Sequence, residues 1–212
     1  MADAGIDLGR VGSGLAAAGL AVSAEELRRL TDYLGLLVKW NRVYNLTGVR
    51  AADELVGRHL VESLSLAPLL RGHRIVDVGT GAGLPGIPLA IVEPERTFVL
   101  VESRAKRIRF LRHAVGTLAL ANVEVRHARI EDLRGETPFD TVLARAVAPP
   151  AELIRMTGHL MAPGTLLVLL TAARLEAEWR ALAAQHALRP LALDPAPKLE
   201  RSSIVLLERT HE

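Results

Sequence analysis

The sequence predicts an α/β protein with a mostly parallel, helix-covered β-sheet and a helical N-terminal extension. Three observations carry that expectation. From Arg74 onward, short apolar runs alternate with segments of helical periodicity, the pattern of repeated βαβ units. Residues 75–102, IVDVGTGAGLPGIPLAIVEPERTFVLVE, read as strand, glycine loop, short helix and second strand. Ahead of Arg74, apolar residues recur only at helical spacing.

Residues 1–22 begin with a dozen positions that lack periodicity, and this terminus is expected to be mobile. Ser23 opens SAEE, a capping box with Glu26, so a helix starts at Ala24. Leu27, Leu30, Leu34, Leu37 and Val38 form its apolar face, and it ends near Trp40 or Asn41. A second helix spans about 52–66, and Pro68 ends it. Residues 23–73 are thus the helical extension, and 74–212 the ligand-binding domain. Within that domain a helix follows Glu102, with Arg104, Lys106, Arg107, Arg109 and Arg112 crowding its first half, a pattern that usually marks a solvated face. Strands are expected at 123–127, 139–144 and 162–170, where a Gly turn leads the last of them. A helix starts at Pro149 or Pro150, a final helix carries Leu175, Trp179 and Leu182, and 203–208 forms a last strand.

The composition excludes several classes. No apolar run approaches the roughly 20 residues of a membrane span, so a soluble, cytoplasmic protein without a membrane partner is expected. Cys is absent, so there is neither a disulfide framework nor a thiolate metal site, and no metal is expected. The net charge is +2, but only Lys39, Lys106 and Lys198 of the 26 basic residues are lysines. An arginine excess suits phosphate and base recognition, and equally suits a GC-rich genome.

The glycine loop is the candidate binding site. It opens at the carboxyl end of a strand, where open α/β sheets bind ligands. Gly79, Gly81 and Gly83 let a ligand approach the main chain, and Asp77 is available to an ammonium group directly or through water. Glu102, at the end of the second strand, is placed to accept ribose hydroxyls. Two ligands fit. Gly81, Gly83 and Gly86 spell the GxGxxG dinucleotide fingerprint, whereas the acid-led DVGTGAG resembles the first motif of S-adenosylmethionine-dependent methyltransferases. Pro85 and Pro88 argue against a long phosphate-binding helix, because neither donates an N–H. In the loop after 123–127, Glu131 or Asp132 could accept from an adenine amino group. Arg145 ends a strand beside the presumed cleft.

WNRVYNLT at 40–47, RHLVESL at 58–64, DVGTGAGLPGIPLAI at 77–91 and LARAVA at 143–148 closely resemble hallmark stretches of one family. These are the bacterial 16S rRNA guanine-N7 methyltransferases of the RsmG (glucose-inhibited division protein B) family, and the similarity covers about 30–207. Glu62, where many relatives have Asp, and Ser103 after Glu102 depart mildly. The resemblance implies a class I, Rossmann-like methyltransferase fold with a helical N-terminal extension and S-adenosyl-L-methionine as cofactor. It implies cofactor contacts at Gly79, Leu84, Ile130, Glu131 and Arg145. The implied partner is 16S rRNA or an assembling small ribosomal subunit, met by a monomer. Guanine N7 has no proton to lose, so no general base is required, in keeping with a glycine loop that lacks an acid/base dyad. Asn45, His59 and Arg145 are the candidates for guiding the guanine. Competing readings are an NAD-dependent oxidoreductase, for which the tail after Ser203 is too short to supply a substrate domain, and a noncatalytic RNA-binding module.

Overall fold

The computed structural model describes residues 6–49, 51, 54–145, 148–171, 176–191 and 202–211. Seven strands form one sheet in the order β3-β2-β1-β4-β5-β7-β6. They are β1 (Arg74–Val78), β2 (Thr97–Glu102), β3 (Val123–His127), β4 (Phe139–Arg145), β5 (Met161–Thr171), β6 (Leu188–Pro190) and β7 (Ser203–Arg209). β1 to β5 are mutually parallel, and β7 runs antiparallel between β5 and β6. The expected mostly parallel sheet is therefore present. β6 was not expected, since three residues ending in a proline are too short to show alternation. The turn expected ahead of the fifth strand lies inside β5, with Gly164 at φ 89° where the pairing register with β4 shifts.

Side-chain alternation along the strands divides the core. Ile75, Leu100, Leu143 and Val168 point to one face, and Val76, Val99, Val142 and Leu167 to the other. The second face is covered by α6 (Pro150–Thr157) and α7 (Glu176–Gln185). The first receives α4 (Gly86–Val92), α5 (Ala105–Thr117) and the described helices of the N-terminal extension. Leu30, Tyr33, Leu34 and Leu37 of α2 (Ala24–Tyr44) are buried in the same core as Ile75 and Leu100. The extension is thus a further layer of one core, with no break in packing at residue 73.

Ser23 and Glu26 form the expected capping box: Ser23 Oγ accepts from the Glu26 amide at 3.2 Å, and Glu26 Oε2 from the Ser23 amide at 2.6 Å. α2 runs past Asn41 to Tyr44 and is capped by Asn45 in the left-handed conformation, φ 49°. Asn41 is buried and braces the next loop, accepting from Thr47 N at 3.0 Å and donating to the Val49 carbonyl. α3 is a π-helical turn, Leu55–Leu60, continuing as α-helix over Val61–Leu64. The helix start expected at Ala52 lies outside the described residues, as do Leu175, Ala146 and Val147.

The N-terminal segment, expected to be mobile and without periodicity, contains a helix. Leu8–Ala17 form a helix, α1, capped by Asp7 and anchored by the buried Val11 and Leu15. Gly9, Gly12 and Gly14 depress its helix propensity and hid it. A Cβ at Gly14 would lie 2.6 Å from Val56 Cγ1, so a residue poor for helix formation is what admits close packing on α3. Among the described residues, no helix is long and apolar enough to cross a membrane.

Candidate active site

The strand order reverses between β1 and β4, so the loop after Val78 emerges at the switch point of the sheet. Val78 pairs with Val101 on one side and Ala144 on the other, which sets the ends of β1, β2 and β4 beside one another. The loop is tied down by its backbone. Thr80 N donates to Val101 O at 3.1 Å, and the Thr80 carbonyl accepts from Gly83 N at 3.0 Å and Leu84 N at 3.1 Å.

The glycines divide into two kinds. A Cβ at Gly83 would lie 2.5 Å from Ile87 Cδ1, and one at Gly86 would strike Leu100 and Asp77, so both serve packing. Gly81, at φ 63°, is different: a Cβ there meets nothing nearer than Arg107 Nη1 at 3.8 Å. That open side of the main chain is what a ligand could use.

Asp77 is fully buried at the base of the loop. Its Oδ2 accepts from Thr80 Oγ1 at 2.6 Å and Gly86 N at 2.9 Å, while Oδ1 has no partner. Burial pushes its carboxyl up to about 7, against the pull of those two donors. Asp77 thus shapes the loop through Oδ2, while its Oδ1, like His59 Nε2 and Arg145 Nη1, is a buried polar atom without a protein partner. Tyr33 of α2 reaches the same loop and donates from its hydroxyl to Ala82 O at 2.8 Å.

Glu102 ends β2 as expected. Its Oε1 accepts from Arg104 N at 2.8 Å and its Oε2 pairs with Arg107 Nη1 at 3.2 Å. An ionised carboxylate has about four acceptor positions, which leaves room for ribose hydroxyls. Arg107, read from sequence as one of a solvated run, instead turns inward over Gly81 and Glu102. Of the two acids after β3, Asp132 is consumed by its own turn, accepting from Arg129 N at 2.9 Å, and Glu131 is exposed. Ile130 and Leu84 are buried.

A second polar group adjoins the first. Arg145, at the end of β4, places Nη2 2.6 Å from His59 Nδ1 and 3.0 Å from Glu62 Oε2. Glu62 Oε1 in turn accepts from Ser202 Oγ at 2.6 Å. His59 sits in the π-helical turn of α3, a distortion frequent at functional sites. Burial, helped by the charges of Arg145 and Arg58, holds its pKa down at about 3, so the ring is neutral at pH 7. Since Nδ1 receives the guanidinium N–H, the ring proton is on Nε2. That N–H and Arg145 Nη1 are buried donors without a protein partner. Asn45, expected alongside them, is instead the exposed cap of α2, and among the described residues no hydrogen bond links it to either. Tyr33 was not singled out from sequence, Glu62 entered only as a departure within RHLVESL, the motif that also holds His59, and Arg107 only as one of a run of cations.

The two shifted groups oppose each other in stability. Folded His59 binds fewer protons than unfolded histidine between about pH 3 and 6.5, so its contribution is lost as pH falls through that window. Folded Asp77 binds more protons than unfolded aspartate between about pH 4 and 7, so its contribution is lost as pH rises. A His59→Gln variant removes one slope. Its stability relative to the wild type should increase by about 1.4 kcal/mol per pH unit as pH drops from about 6.5 to 4. Urea unfolding at several pH values measures this, and a pH-independent difference would contradict a buried neutral imidazole.

A family model described as rRNA small subunit methyltransferase G matches residues 26–204. The ribosomal RNA small subunit methyltransferase G of Methylococcus capsulatus is 50% identical over 165 residues, 78% of this chain and 80% of that protein. The protein of the same name from Photorhabdus laumondii is 44% identical over 149 residues, 70% and 72% of the two chains. Among solved structures, magnesium protoporphyrin IX methyltransferase from Synechocystis PCC 6803, with bound S-adenosylmethionine, aligns with a TM-score of 0.60 at 20% identity, covering 90% of this chain and 99% of that one. Fibrillarin from Aeropyrum pernix, also with S-adenosylmethionine, gives 0.54 at 15% identity over 66% and 68%. At these identities the structural likeness concerns the fold alone.

Proposed function

Because the chain belongs to the rRNA small subunit methyltransferase G family, we propose that it transfers the methyl group of S-adenosylmethionine to N7 of a guanine in 16S ribosomal RNA. The observation that carries the cofactor assignment is the start of α4. Gly86 N is taken by Asp77 at 2.9 Å, and Ile87 N by Gly83 O at 2.7 Å. Pro85 and Pro88 offer no N–H. No cradle for a pyrophosphate is left there, which disfavours the NAD-dependent alternative. What remains is an open main chain at Gly81 beside a carboxylate, which suits a nucleoside joined to an amino acid.

The residues present fit that ligand. Gly79 and Gly81 give it the main chain, Glu102 takes the ribose hydroxyls, and Ile130 with Glu131 borders the adenine. Leu84 and Gly83 back the loop, and Asp77 holds it in shape through Thr80 and Gly86. When bound, S-adenosylmethionine supplies a sulfonium-held methyl group. The chain's part is alignment. Guanine presents N7 and O6 as adjacent acceptors, and N7 reacts through its own lone pair. Arg145 Nη1 and His59 Nε2 are the donors available to fix an acceptor near the reacting atom, O6 of the guanine or the cofactor carboxylate. A charged guanidinium and a neutral imidazole can both donate without removing a proton from the base.

In A-form RNA the major groove that carries N7 is too narrow for side chains to enter, so the guanine must be unpaired or extruded. Nucleotide-resolution mapping of 16S rRNA, from cells with and without the protein, should show one N7-methylguanine that depends on it. With saturating cofactor and RNA, the single-turnover rate should be flat between about pH 8 and 9.5, because no proton leaves N7. A tenfold rise per pH unit there would disqualify N7 in favour of N1 or a ribose hydroxyl.

A further inference from the structure

The chain has only seven Phe, Tyr and Trp residues, yet four of them line the seam between α2 and α5. Tyr33 and Phe110 are buried, with ring centroids 6.4 Å apart. Trp40 continues the series outward, 5.7 Å from Phe110. At the surface it meets Tyr44 at 5.4 Å and His113 at 5.5 Å, both tilted by about a third of a right angle (33° and 34°). His113 is exposed, Tyr44 is 38% exposed and its neighbour Val43 is 73% exposed. Burial explains the inner two rings. It does not explain an aromatic cluster that ends in open rings.

The two stretches of chain that carry that cluster hold charge of one sign. No acid occurs between Glu102 and Glu124, a stretch that includes all of α5, nor between Asp32 and Asp53, which includes the second half of α2. On α5, Lys106, Arg109 and His113 follow at spacings of three and four, hence on one helix face, and all three are exposed. The helix starts beside the site, where the backbone amide of Arg104 donates to Glu102, and this face reaches His113 eight residues after Ala105, about 12 Å along the helix. It forms a cationic track from the cofactor site to the aromatic cluster.

We propose that Tyr44 and His113, backed by Trp40, form a stacking platform for an unpaired nucleotide of the RNA substrate that flanks the target guanine, with Lys106 and Arg109 holding the phosphates between platform and site. Open rings rimmed by cations are how single-stranded RNA is gripped, since every base offers a π-face and every linkage a charge. A protein partner is a poorer match. Among the described residues, Leu8, Val43 and Tyr44 are the only large apolar side chains that are exposed, and at Val43 and Tyr44 the surroundings are cationic rather than apolar.

The proposal rests on the rRNA reading, and the two are tested separately. Methyl transfer by the wild type to 16S rRNA, protein-free or in small subunits, tests the reading itself. For the platform, fluorescence anisotropy follows binding of the same rRNA and of a labelled oligoadenylate. Tyr44→Ala should bind both about tenfold more weakly at an unchanged salt slope, Tyr44→Phe should bind as the wild type does, and His113→Ala should show a similar loss. Lys106→Ala should lower the slope of log K against log salt by about 0.7, the share of one single-strand phosphate. All four variants should keep wild-type affinity for S-adenosylmethionine. Unchanged RNA affinity in Tyr44→Ala and His113→Ala, with active wild type, overturns the platform while leaving the reaction intact. A loss seen only with ribonucleoprotein particles, and not with bare RNA, also overturns it and assigns the surface to a ribosomal protein.

Discussion

A Gly81→Leu variant should fold normally and bind S-adenosylmethionine at least about 100-fold more weakly, a loss near 2.7 kcal/mol. The backbone at Gly81 is at φ 63°, where an L-residue costs about 1–2 kcal/mol. That cost is bearable for the fold, because a Cβ there is clear of every heavy atom beyond the loop by at least 3.8 Å. The remaining atoms of leucine would extend into the space bordered by Arg107 and Glu102, the proposed ribose site. Calorimetry with the cofactor, alongside circular dichroism, decides the matter. Normal affinity in a folded Gly81→Leu protein would remove the proposed site. A Gly83→Leu variant is the contrasting case: its side chain would collide with Ile87 and Leu111, so it should lose stability first.

Replacing Arg145 should have the other large effect, and two consequences must be separated. Arg145→Met leaves Glu62 as a buried carboxylate without its cation, so unfolding free energy should fall by about 3 kcal/mol. Methyl transfer should fall by about 100-fold or more, the scale of losing a preorganised donor. Adding Glu62→Gln removes the orphaned charge. The double variant should regain most of the stability and none of the activity. Chemical denaturation and single-turnover transfer on the three proteins test this, and activity that returned with stability would reduce Arg145 to a structural role.

The parts of this site that sequence made legible are those set by neighbours in the chain. The strand Arg74–Val78, the glycine loop after it and the acid at the end of β2, Glu102, are neighbours in the chain, and their chemistry follows from residue type and spacing. The capping box of α2 was legible for the same reason. Contacts made across the chain were not. Glu62 and Ser202 are separated by 140 positions, Tyr33 and Ala82 by 49, and nothing in either segment announces the other. Arg107 was misjudged because a run of arginines looks alike from sequence, whereas only the one five residues after Glu102 is placed to pair with it. Asp77 was recognised as important, but its full burial and its bonds to Thr80 and Gly86 were not legible, since spacing reports proximity and says nothing of depth.

The position of β7 has a consequence for when the protein becomes competent. This strand follows β6 in the chain, yet it is inserted between β5 and β6, and Ser202 just before it completes the partners of Glu62. A chain still being translated can pair β1 to β5, which arise in order and lie side by side but for the early reversal. It cannot close the sheet or finish the environment of Arg145 until residues 202–209 have been made and have emerged. The polar environment of Arg145 is therefore completed by a segment that the chain makes after its five parallel strands, so that pairing of β1 to β5 and completion of that environment are separate events in synthesis.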